Sequence, residues 1–154
     1  MADSNVTDAE IVFLKELARR RVKFMVVGMS AAVIQGADLG TDCIDLWFES
    51  RSDPGLDEAA RAAGGVIAWR ANPPMLTGKG LDHIDLVIRC DGLRAFDVEY
   101  AAAIEAEAFG VKVKVLPLRR VISSKKAANR LKDQAVLPAL KAALAAIRSA
   151  KKKP

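Results

Sequence analysis

The stretch Gly40–Ser50, "GTDCIDLWFES", decides how this chain is read. Its centre is apolar enough for a buried strand, yet it carries Asp42 and Asp45. Successive strand residues point to opposite faces, so carboxylates that share a face lie two positions apart. Asp42 and Asp45 lie three apart, and the position that shares a face with Asp45 holds Cys43. An acid between Ile44 and Leu46 needs a reason, because burying an unpaired carboxylate is costly.

A second stretch repeats the pattern. "HIDLVI", His83–Ile88, places Asp85 between aliphatic residues just as "CIDLWF" places Asp45. On neighbouring strands the two carboxylates would converge. Upstream, "VKFMVVG" is a continuous apolar run closed by Gly28, and a short helix follows with Ser30 in its first turn. Such a helix start offers free backbone N–H groups and a positive dipole end to an anion. Converging carboxylates beside it are the parts needed to hold Mg²⁺ and a nucleoside triphosphate.

The flanking segments predict a single domain over residues 1–150, followed by a basic tail at 151–154. "TDAEIVFLKELARR" opens with Thr7 as cap and Glu10 three residues on, a capping box. Its apolar stripe is Ile11, Leu14, Leu17 and Ala18. "GLDEAARAAGG" reads as a helix, "VIAWRA" as a strand and "NPPMLTGKG" as a loop. "AFDVEYAAAIEAEAFG" has a helical composition, but its end could pair with the alternating strand "VKVKVLPL". From Leu118 onward the chain is helical, with a break expected near Pro138. Strands alternating with helices, and helices at the end, define a mixed α/β (α+β) sheet flanked by helices.

Composition narrows the classes. Of 154 residues, 51% are hydrophobic, which argues against disorder, and no apolar run is long enough to span a bilayer. The expectation is a cytoplasmic protein with no membrane partner. One histidine, His83, excludes a His-rich metal site, and the two cysteines show no CxxC spacing that would suggest zinc. The net charge is +5, and the segment "LRRVISSKKAANRLK" carries six basic residues and no acid. Aromatic residues make up only 5% of the chain, so there is no ladder of platforms for stacking single-stranded nucleic acid.

In order and spacing, "VVGMSAAVIQG…TDCIDLWF…HIDLVI" resembles the nucleotidyltransferase superfamily, in its minimal form related to DNA polymerase β. "VISSKKAANRLKD" is similar to the closing signature of a bacterial branch found in toxin–antitoxin operons. The resemblance spans Val22 to Leu144. It implies a mixed sheet with a cleft where Mg²⁺ holds a nucleoside triphosphate, and transfer of a nucleoside monophosphate to a hydroxyl on a protein, RNA or small molecule. Carried over, Asp45 and Asp85 would ligate metal and carry the chemistry. Gly28 and Ser30 would approach the triphosphate, and Lys125 and Arg130 would neutralise its charge, unless Asp133 pairs with them.

Three positions depart from the pattern. The first strand acid is Cys43, the second residue of the glycine pair is Met29, and an arginine common in the branch is Leu39. Sulfur is a poor ligand for a hard cation. The expectation is therefore an impaired transferase or, alternatively, an inactive module that binds nucleotide, RNA or a partner such as the other half of a toxin–antitoxin pair. The Ala/Leu-rich segment "LPALKAALAAI" could support a homodimer.

Overall fold

The computed structural model describes residues 6–152. In chain order the elements are α1 (Asp8–Arg19), β1 (Phe24–Val27), α2 (Gly28–Ile34), β2 (Ile44–Phe48), α3 (Pro54–Ala62), β3 (Val66–Ala68), β4 (Met75–Thr77), β5 (Ile84–Val87), α4 (Phe96–Ala101), β6 (Ile104–Ala108), β7 (Val111–Val115), α5 (Leu118–Ala128) and α6 (Leu131–Lys152). Five strands form one mixed sheet in the order β5-β2-β1-β7-β6, and β3 and β4 form a separate antiparallel pair. Strand β1 is antiparallel to β2 and parallel to β7, while β2 is parallel to β5.

Register divides the sheet into two faces. Direct pairing puts Val27, Asp45 and Asp85 on one face, together with Met25, Trp47 and Lys114. Val113 and Val115 lie on the other face and pair with Ala106 and Ile104. Phe96 of α4 packs edge-on against Trp47, with ring centroids 5.2 Å apart, so α4 covers the middle of the carboxylate face. The core is continuous across both faces and includes Phe13, Leu14, Met25, Leu46, Leu56 and Leu140.

The first helix begins as expected, with both hydrogen bonds of the Thr7–Glu10 capping box present. Its buried stripe is Phe13, Leu14 and Leu17 rather than Ile11 and Ala18. Glu10 is fully buried because its carboxylate also accepts the His83 backbone N–H at 2.7 Å and faces His83 Nδ1 at 3.1 Å. A helix cap thereby fixes the chain immediately before β5.

Three expectations are corrected. The segment "NPPMLTGKG" is not all loop: Met75–Thr77 pairs with Val66–Ala68, which satisfies its backbone groups. The ambiguous stretch from Ala95 to Gly110 divides into α4 and then β6, which pairs with β7. The C-terminal helical region breaks at Asn129, not at Pro138. Asn129 closes α5 in the left-handed conformation (φ 52°), and Asp133 accepts the Arg130 backbone N–H at 3.1 Å to open α6. Pro138 lies inside α6, which runs on through Lys151 and Lys152.

Candidate functional site

Asp45 and Asp85 are directly opposite in the parallel β2–β5 pair, on one face. Asp45 is pushed up to about 6, first by burial and then by the neighbouring Asp85 charge, against the pull of Lys125 and Lys132. The negative charge of Asp85 beside it makes ionising Asp45 costly without a counter-cation.

The turn from β1 into α2 shapes the floor. Gly28 has φ +62°, and a Cβ there would lie 2.4 Å from Asp45 Oδ2. Glycine is thus required both by the backbone and by the approach of the carboxylate. Ser30, expected to face a triphosphate, does something else. It is 1% exposed, its hydroxyl donates to the Val27 carbonyl at 2.9 Å, and its oxygen accepts the Asp45 backbone N–H at 3.0 Å. The hydroxyl is used up in joining the start of α2 to β2, so Ser30 positions Asp45 instead of touching a ligand.

A cleft opens beside Gly28 and Asp45, and Arg89, Lys125, Arg130 and Lys132 line it. Lys125 and Arg130 share the buried Asp133: Lys125 Nζ lies 3.4 Å from it, and Arg130 Nε donates to it at 2.6 Å. The Arg130 hydrogen bond is the main cause that holds Asp133 down at about 2. The expected phosphate cations therefore reach the cleft with part of their charge already balanced. Arg89 and Lys132 also line it and form no ion pair among the described residues. Lys132 lies in the basic run noted above without a role assigned there, and Arg89 follows "HIDLVI" directly; proximity to Asp45 is what singles out both.

Cys43 immediately precedes β2. Its thiol is pushed up to about 11, by burial first and then by Asp85, Asp45 and Asp42, so it stays protonated at neutral pH. A neutral thiol is not a ligand for a hard cation. Among the described residues no three His, Cys, Asp or Glu side chains cluster to hold a metal ion. The donor set of Asp45 and Asp85 fits one Mg²⁺ that draws its remaining ligands from phosphate and water. It does not fit a pair of ions bridged by a further acid.

The raised Asp45 gives a pH-dependent prediction. An acid bound more tightly to its proton in the folded state destabilises the fold once ionised. That penalty is absent below about pH 4, grows as pH rises toward 6, and persists above it. Asp45→Asn should therefore be more stable than the natural protein by about 2 kcal/mol at pH 7 and equal to it near pH 4. Urea denaturation at the two pH values measures this, and equal stability at pH 7 would contradict it.

No protein-family profile and no curated protein sequence matches this chain. Among solved structures, the crystal structure of ANT(2'')-Ia in complex with adenylyl-2''-tobramycin is similar, with a TM-score of 0.52 and 16% sequence identity. The match covers 91% of this chain and 95% of that one. The two chains share a fold, here a mixed five-stranded sheet flanked by helices, with a C-terminal helix.

Proposed function

We propose that this chain binds a nucleoside triphosphate together with Mg²⁺ in the cleft at Asp45 and Asp85, and transfers a nucleoside monophosphate to a hydroxyl slowly. The observation that supports this best is the direct register of Asp45 and Asp85, with Gly28 packed against Asp45 and cations lining the cleft beside it. Asp45 and Asp85 would hold the ion, which when bound supplies positive charge against the phosphates. Lys132 and Arg89, with Lys125 and Arg130, would offset the remaining phosphate charge at low local dielectric. Gly28 leaves room for the Asp45 carboxylate to sit against the β1–α2 turn, where any side chain would intrude.

The acceptor follows from the resemblance as a protein or RNA hydroxyl. The adenylylated tobramycin in the neighbour's structure adds small-molecule hydroxyls to those worth screening. A second reading is supported by Cys43: the cleft binds nucleotide but no longer transfers, and the chain acts as a binding module, such as one half of a toxin–antitoxin pair. A cytoplasmic location belongs to the same reading.

Calorimetric titration with each nucleoside triphosphate, with and without Mg²⁺, tests the common part. Binding should require Mg²⁺ and weaken by about tenfold or more in Asp85→Asn, a change of about 1.4 kcal/mol or more. Equal affinity in that variant would remove the carboxylate pair from the site. A labelled-nucleotide transfer assay on the natural protein separates slow transfer from none.

A further inference from the structure

The face of the sheet opposite the carboxylates carries a groove that the nucleotide cleft does not use. Its floor is apolar: Ile34 of α2, Ile104 and Ala106 of β6, and Leu144 and Ile147 of α6. Register places Ile104 and Ala106 on the Val113–Val115 face, away from Asp45 and Asp85. Ile104 remains 40% exposed. Strand β6 ends the sheet, so its outer backbone edge is unpaired there.

The rim of this groove is basic. Arg119, Arg148 and Lys151 line it, no acid does, and none of the three forms an ion pair among the described residues. Arg148 and Lys151 suit the C-terminal half of α6, where the helix dipole favours cations. Arg119 has no such excuse. It sits in the first turn of α5, where the dipole disfavours a cation, and unlike its neighbour Arg120 it has no carboxylate partner. The acids of β6 do not compensate, since Glu105 points to the other face and pairs with Lys114 at 3.2 Å.

On α6, Leu144, Ile147, Arg148 and Lys151 fall at helical spacing on one face, apolar first and then basic. We infer that this groove docks an acidic, amphipathic helical segment of a partner protein, lying along α6 with its apolar face on Ile104, Leu144 and Ile147. Its carboxylates would meet Arg119, Arg148 and Lys151. Charge complementarity selects this occupant, because an apolar floor alone would accept a segment of any charge. The inference does not depend on nucleotide binding, since the groove and the cleft lie on opposite faces.

The probe is a fluorescently labelled helical peptide of Leu, Ala and Glu, with a Lys-for-Glu version as its control. Anisotropy should show the Glu peptide binding the natural protein, more weakly at high salt. The exposed double variant Arg148→Glu/Lys151→Glu should lose about tenfold or more in affinity, roughly 1.4 kcal/mol, and should bind the Lys peptide instead. Ile147→Glu should weaken the Glu peptide as well, with circular dichroism confirming that each variant is folded. Equal binding of the Glu peptide by the double variant would overturn the inference, as would no binding to the natural protein. Preference for single-stranded RNA over the peptide would assign the groove to nucleic acid. Self-association abolished by Ile147→Glu would assign it to a second copy of the chain.

Discussion

Gly28→Ala is expected to disrupt both the fold and the cleft. The residue holds φ +62°, a conformation that costs an L side chain about 1–2 kcal/mol. The new Cβ would lie 2.4 Å from Asp45 Oδ2 and 3.2 Å from its carboxyl carbon. Asp45 cannot retreat with its backbone, because β2 is paired on both sides and the Asp45 N–H is tied to Ser30. Its carboxylate must rotate out of the place it now holds beside Gly28 instead. Together these should lower stability by about 2–4 kcal/mol and remove Mg²⁺-dependent nucleotide binding. Chemical denaturation and calorimetry measure the two effects. The source of the loss can be isolated in an Asp45→Ala background, where the clash is gone and Gly28→Ala should cost only the backbone strain. Equal costs in both backgrounds would show that the carboxylate contact is not what constrains this glycine.

Cys43→Asp is expected to raise transfer by about a hundredfold or more, equivalent to roughly 3 kcal/mol of barrier. Residues 43 and 45 share a side of the chain, so the substitution restores an Asp-x-Asp pair beside Asp85. Three carboxylates can hold a second divalent ion, which the natural pair cannot. Without metal the variant should melt below the natural protein, because a third negative charge joins a site that already pushes Asp45 up to about 6. Mg²⁺ with a triphosphate should recover that loss, since a ligand that binds only the folded state stabilises it by mass action. Thermal melts in the four combinations of protein and Mg²⁺–triphosphate, with a transfer assay alongside, test it. Strong Mg²⁺-dependent transfer by the natural protein, unchanged in Cys43→Asp, would mean that the site is not impaired. The exposed Asp42 would then be the first residue to test as the further ligand.

The matched contexts of Asp45 and Asp85 were legible because they are local. A carboxylate between aliphatic residues on a strand marks a face and an anomaly at once, and two such strands invite pairing. The glycine closing β1 and the capping box of α1 were legible for the same reason: each follows from the stereochemistry of a few adjacent residues. The sulfur at position 43 could likewise be judged as a ligand from its chemistry alone.

What the sequence left open were choices made by distant partners. The hydroxyl of Ser30 could have faced a ligand, and only the arrival of the Asp45 N–H from β2 shows that it is used internally. Asp133 could have been solvent-exposed, and its burial under Lys125 and Arg130 is set by how α5 and α6 meet at Asn129. Arg89 and Lys132 have no local signature, because facing a cleft is a property of the assembled sheet and helices. Strand β4, hidden in a Pro- and Gly-rich stretch, exists because β3 offers it hydrogen bonds. Local stereochemistry thus determined which residues carry unusual chemistry, and tertiary structure decided which of them face one another, since burial, register and ion pairing arise only when separated segments of the chain are brought together.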